Sequence, residues 1–159
     1  KFNPDKAKWY NKEYLRMKTD EELAELFIPL LEAEGIKDIR RDYVTETVSL
    51  IKERATFVKD FLEISKPLFR APETYVQKDV EKFWKEENWK PAYEAAKACA
   101  TGEELEEYIK SRELPMGKLM NCTRLVLTGA ASGLGISDIM RLIGHEEVIS
   151  RWEKAISRL

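Results

Sequence analysis

The sequence has few of the residues that metal, disulfide or thiol chemistry requires. Its 159 residues include two cysteines, Cys99 and Cys122, and one histidine, His145. The cysteines are far apart and form no C-x-x-C, which argues against a Cys/His zinc site. They read instead as small buried or half-buried thiols in a reducing cytosol. Long apolar runs are also missing, and nothing approaches the ~20 residues needed to cross a bilayer. Lys1 to Tyr14 is polar and aromatic, unlike a signal peptide. No membrane role and a cytoplasmic location are therefore expected. The chain does not begin with Met, so it is expected to be a piece of a longer protein. Neither charge sign dominates: the net charge is -2. A nucleic-acid role would need a local basic surface. With 43% hydrophobic and 35% charged residues, the chain can form one ordinary domain or two small ones.

Helical signals are abundant. Asn3-Pro4 is an N-cap followed by proline at the first helical position, opening a segment that runs to about Arg16. Thr19 and Glu22 form a capping box ahead of an apolar face of Leu23, Leu26, Phe27, Leu30 and Leu31. Pro29 predicts a kink or break there, and Gly35 a stop. Val44, Val48, Ile51, Ala55, Val58 and Leu62 step by four or three, which predicts one long helix over 42–66 ended by Pro67. The module boundary is placed there, giving modules 1–66 and 67–159. In the second module Val80, Phe83 and Trp84 mark a short helix, and Pro91 starts another through Ala100. Thr101 and Glu104 repeat the capping logic for a helix ending near Glu113. Residues 118–127 fit helix or strand on pattern alone. Short helices are expected around Ile139 and from His145 to Ile156. The four tryptophans fall at core spacings and read as packing. The fold class is all-α, in two small helical modules.

Residues 128–135 spell T-G-x-x-x-G-x-G, like the cofactor loop of short-chain dehydrogenases. That loop needs a βαβ unit, a helix N-terminus under the pyrophosphate and an acidic residue about 20 residues on. Only 24 residues follow Gly135 and no second strand is evident. A glycine loop joining two helices is the better account. His145 has no Ser or Cys nucleophile motif near it, and a solvated structural place in the first turn of the last helix is expected. The Glu/Lys clusters at 78–85 and 103–110 are solvated helix faces.

Two features suggest a partner. Between Glu113 and Asp138 lie 24 residues without Asp or Glu, where the average composition predicts about 4.4. The window holds Lys118, Arg124 and the loop with Gly129, Gly133 and Gly135. It suits phosphate or base contacts, where backbone amides and Arg approach closely; it equally suits a buried apolar segment. Arg54 is the second feature. It lies between Leu50 and Phe57 with no acid three or four positions away, and Arg124 lacks one too. Such an arginine either keeps its donor fork for a base or phosphate or snorkels at the core margin.

Four segments carry a family resemblance. The run from Phe2 to Leu15 resembles the F-D-x-x-K-L-x-W-x-N-x-x-Y-I segment of glutamyl-tRNA synthetases, which follows their catalytic half. Leu50 to Phe61 resembles L-x-x-x-R-x-x-T-L-x-E-x. Met116 to Gly129 resembles G-K-V-x-x-P-L-R-x-A-L-T-G, with Arg124, Thr128 and Gly129 its most specific part. Ile143 to Glu146 resembles L-G-K-E. Order and spacing hold over nearly the whole chain.

The resemblance implies a pair of all-α modules that embrace the anticodon arm of glutamate tRNA, residues 1–16 being the tail of a preceding stem-contact region. It makes 118–127 a helix. It implies that Arg54 reads the third anticodon base, cytosine against guanine, and that Arg124 contacts the anticodon loop. Further contacts fall near Gly133, Leu134 and Ile136, with Lys52 and Lys118 as candidate phosphate contacts. Cys122-Thr123 replace the usual Pro-Leu, Gly133-Leu134 replace a polar residue and proline, and His145 replaces lysine. The HIGH and KMSKS catalytic signatures are absent from this chain, so no chemistry or cofactor is expected of it. The parent enzyme would use ATP and Mg, supply its own N-terminal catalytic domain as a partner, and act as a monomer. The alternative is a helical protein-interaction module without an RNA role.

Overall fold

The computed structural model describes residues 4–159, and among these every regular element is helical. The chain forms two compact units, the first ending at Phe69 and the second running from Arg70 to Leu159. The break falls after the expected 66/67 boundary because Pro67 lies inside a helix rather than ending one. Phe2 and Asn3, and with them the Asn3 cap, lie outside the described residues.

The first unit holds α1 (Pro4–Met17), α2 (Asp20–Ala33), α3 (Arg41–Ile51), a 3-10 turn (Lys52–Arg54) and α4 (Asp60–Phe69). The Thr19 capping box is complete: its hydroxyl accepts the Glu22 amide at 3.1 Å and the Glu22 carboxylate accepts the Thr19 amide at 3.2 Å. That carboxylate is held below its ordinary pKa, chiefly by the bond from the Thr19 amide. Helix α2 ends as its glycine predicts, with Gly35 at φ 89° and the Ile36 amide donating back to the Leu31 carbonyl. Phe27 is the centre of this core, edge-on to Phe61 at 5.5 Å and to Phe69 at 6.1 Å.

The single helix expected over 42–66 is instead two helices with an irregular turn between them. The apolar stepping is real: Val44, Val48, Ile51 and Ala55 are all buried. The backbone breaks because Asp60 offers a competing arrangement. Its carboxylate reaches back to accept the Thr56 amide at 3.1 Å and the Phe57 amide at 2.9 Å, as the acid of a capping box does.

The three helix-interior prolines also depart from expectation. Pro29 sits inside α2, Pro67 inside α4, and Pro91 inside α6 (Glu86–Ala98), which starts at Glu86 instead of at the proline. Each proline deprives the carbonyl four residues earlier of its donor. Those carbonyls belong to Glu25, Glu63 and Glu87, all exposed, so water can replace the missing N–H.

The second unit continues with α5 (Gln77–Phe83), α6, α7 (Gly102–Ser111), α8 (Met116–Thr128), α9 (Ile136–Ile143) and α10 (His145–Arg158). Its centre is Trp152, fully buried beside Trp84 at 6.2 Å and Tyr93 at 5.6 Å. Trp84 in turn stacks on Trp89, with centroids 5.3 Å apart. Trp9 is the exception to the reading of all four tryptophans as packing. It is 57% exposed on α1, next to exposed Tyr10 and Tyr14. No helix among the described residues is long and apolar enough to cross a membrane.

Candidate nucleic-acid interface

The first unit presents the 52–59 turn. Ile51 and Ala55 bury themselves on either side of the 3-10 segment and pin it to the core. Arg54, between them, is exposed and makes no hydrogen bond or ion pair among the described residues. Its place is the end of a turn, not the face of a long helix as expected, and it does not snorkel against the core. Its planar fork of donors is therefore open to an incoming base edge or phosphate. Phe57 follows, also exposed, with the Lys59 ammonium 5.2 Å from its ring centroid. Lys52 behaves differently from its expectation as a phosphate contact. Its ammonium is 2.7 Å from the Asp20 carboxylate, and both side chains are largely covered. An incoming phosphate would have to compete with that partner.

The second unit presents the glycine loop, residues 129–135, between α8 and α9. The loop joins two helices, so the βαβ setting of a dinucleotide site is absent here. It starts at Gly129, where φ is 90° and an added Cβ would lie 2.6 Å from the Thr74 carbonyl oxygen. The Val76 amide donates to the Gly129 carbonyl at 2.8 Å. The Asp79 carboxylate accepts the Ala131 amide at 3.0 Å, so the acid-free window is supplied with an acid from α5.

Arg124 is the main correction. The lack of an acid at helical spacing suggested a free guanidinium, but its Nε and Nη1 are already engaged. Nε donates to the Leu134 carbonyl at 3.1 Å, and Nη1 to the Ala131 carbonyl and the Asn121 side chain, each at 3.3 Å. Ala131 is thus gripped from both sides, its amide by Asp79 and its carbonyl by Arg124. Leu134 and Ile136 are buried, at 4% and 3% exposure, so their side chains face the core and offer no surface to a ligand. Gly133 is the open point: it is exposed, φ is 118°, and nothing lies within 4 Å of an added Cβ. Lys118 is exposed and unpaired among the described residues. It sits in the first turn of α8, where the helix dipole disfavours a cation. Six residues of α-helix place it about 9 Å along the axis from Arg124 and roughly 120° around it, so the two do not converge.

Three groups escaped the sequence reading. Asp79 is 52 residues from the amide it binds, and nothing local marks it. Arg151 is 3% exposed; it donates to Glu147 at 2.8 Å and to the Leu127 carbonyl at 2.7 Å, closing the C-terminal end of α8. Its i,i+4 spacing to Glu147 was a legible signal. Phe57 is the third. Burial pushes the Cys122 thiol up to about 12, which leaves it protonated and unreactive. Among the described residues no three His, Cys, Asp or Glu side chains gather as metal ligands. His145 opens α10 as expected and is half-buried, with its Nδ1 covered and without a hydrogen-bond partner.

A family model described as an anticodon binding domain matches residues 22–156. The chain belongs to this anticodon-binding domain family. The curated relatives of this anticodon-binding domain include a glutamate–tRNA ligase of Flavobacterium psychrophilum, 39% identical over 168 residues and covering 100% of this chain and 33% of the relative. One from Porphyromonas gingivalis is 37% identical over 169 residues, again covering 100% and 33%. Among solved structures, a glutamate tRNA ligase from Elizabethkingia meningosepticum superposes with a TM-score of 0.87 at 36% identity, over 98% of this chain and 32% of that one. A glutamate-tRNA synthetase from Elizabethkingia anophelis gives 0.83 at 35%, with the same coverage. The domain thus spans about a third of the length of the relatives it matches.

Proposed function

We propose that this anticodon-binding domain is the C-terminal part of a glutamate–tRNA ligase and that it binds the anticodon arm of glutamate tRNA. The observation that carries the reading is Arg54, an exposed and unpaired guanidinium on a turn fixed to the core. Its surroundings in sequence are those in which relatives of this kind place a base-reading arginine. Arg54 donates to the edge of the third anticodon base, favouring cytosine, whose O2 and N3 accept where guanine presents N1–H and N2–H donors. Unstacked loop bases are accessible to such readout. Arg124 acts mainly by holding the glycine loop, leaving exposed backbone near Gly133 for the RNA and Lys118 for a phosphate. The side chains of Leu134 and Ile136 serve the core, so any contact at those positions is through backbone. Attachment of glutamate, with ATP and Mg, belongs to the catalytic domain of the full-length enzyme, a cytoplasmic monomer in this reading.

The test is binding of the full-length protein to glutamate tRNA and to a transcript with guanine at the third anticodon position. Wild type should prefer cytosine, and affinity should fall steeply with salt. Arg54→Gln should narrow the preference. Equal affinity of both proteins for both transcripts overturns the Arg54 assignment. The second reading, a protein-interaction helix module, is favoured by the exposed Trp9, Tyr10 and Tyr14 of α1. It predicts that tRNA gives no footprint on either unit.

A further inference from the structure

Phe57 is unexplained by packing. It is 37% exposed, whereas Ala55 and Phe61 on either side of it are buried. The backbone cannot easily turn it inward, because Asp60 holds both the Thr56 and the Phe57 amide. The phenyl ring is therefore displayed at a fixed place on the surface. Three residues of chain reach at most about 11 Å, so Arg54 and Phe57 can serve adjacent nucleotides or a single one. The Lys59 ammonium lies over the ring, 5.2 Å from its centroid, so a stacked base takes the ring's other face or displaces the lysine toward its phosphate. A planar apolar surface, a donor fork and a point charge on one short turn form a complete set for an unstacked nucleotide: stacking for the base, hydrogen bonds for its edge, attraction for its phosphate.

We propose that Phe57 is a stacking platform for an anticodon-loop base next to the edge contact of Arg54, with Lys59 drawing in the adjoining phosphate. This rests on the tRNA-binding reading above and goes beyond it by naming a base-stacking residue. Stacking has a signature distinct from edge readout. It is tolerant of base identity and releases no counterions, whereas a lysine–phosphate contact does.

The experiment uses the full-length protein and glutamate tRNA carrying 2-aminopurine in the anticodon loop, with Phe57→Leu, Phe57→Tyr and Lys59→Gln variants. Phe57→Leu keeps an apolar side chain of similar bulk and removes only the aromatic face. It should weaken binding about 5- to 100-fold, in line with base–aromatic stacking, leave the salt slope unchanged and abolish the fluorescence change on binding. Phe57→Tyr should bind within about threefold of wild type, as stacking requires only the ring face. Lys59→Gln should reduce the slope of log affinity against log salt by about one. If wild type binds and Phe57→Leu binds as tightly with the same fluorescence change, the stacking role is overturned while tRNA binding stands. Loss of binding in Phe57→Tyr equal to that in Phe57→Leu likewise overturns it. If wild type itself shows no binding to the anticodon arm, the functional reading fails first.

Discussion

The turn at 52–59 carries Arg54 and the loop at 129–135 is reached by Arg124 of α8; both arginines lack an acidic neighbour at helical spacing, yet they are used in opposite ways. The turn is held by its own neighbourhood: Ala55 buried beneath it and Asp60 capping two amides just ahead of α4. That local support leaves Arg54 with nothing to do in the fold. The glycine loop has little local support. It depends on Asp79 and on the close approach of Thr74 to Gly129, with Arg124 closing the remaining carbonyls. An arginine without an ionic partner in the sequence is thus not the same as a free donor, since backbone carbonyls at the end of a loop are partners that no spacing rule counts.

Four measurements sharpen or break this contrast. Gly129→Ala should have the largest effect. The left-handed backbone and the clash with the Thr74 carbonyl should cost roughly 2–4 kcal/mol and lower the melting temperature of the second unit. A variant that melts like wild type would show that the loop is free to move away. Arg124→Ala should cost about 1–3 kcal/mol by leaving loop carbonyls without donors. Amide exchange at residues 131–134 should quicken, and Arg124→Lys should not restore it, because an ammonium lacks the fork that reaches both carbonyls. Unchanged exchange would remove Arg124 from its loop-holding role.

Arg54→Gln should be the mirror image. Stability should stay within about 0.5 kcal/mol, as for an exposed unpaired side chain. Discrimination at the third anticodon base should fall by about 1–3 kcal/mol, the size of one good arginine–base contact. A large drop in melting temperature would erase the contrast with Arg124. The effect smallest at neutral pH concerns Cys122. Its folded pKa is raised by burial from 9.0 to about 12. The native state thus keeps a proton that the unfolded chain releases, so stability is complete below about pH 9 and declines as pH rises through about 12. Alkaline melting curves of wild type and Cys122→Ala should therefore diverge above about pH 9, with the wild type falling faster. Parallel curves would show that the thiol is not held protonated.

Much of the fold was legible because its signals are local. The Thr19 capping box, the Gly35 stop and the Leu23–Phe27–Leu31 stripe each specify helix within a few residues of themselves. The opening of α10 at His145 was legible in the same way. Errors arose where a periodic pattern outlasted the helix that carried it. Val44 to Ala55 keep their core spacing across the 3-10 turn, so the stripe alone cannot reveal the break that the Asp60 cap imposes. Pro29 reads as a kink or break, Pro67 as an end and Pro91 as a start because the exposure of Glu25, Glu63 and Glu87, which lets water take over the freed carbonyls, is a property of the folded surface.

The candidate site divides the same way. By itself the sequence determined an all-α chain, a glycine loop between helices, and Arg54 as a cation without a local partner. It did so through short-range rules of capping, periodicity and charge spacing. Only the tertiary structure decided that Arg124 is occupied, that Lys52 is paired with Asp20, that Leu134 and Ile136 point inward, and that Phe57 stands out beside Arg54. Those outcomes depend on groups brought together from 10 or 32 residues away, or on which side of a break a side chain emerges. Hydrogen bonds and burial act through space, and distances along the chain do not encode them.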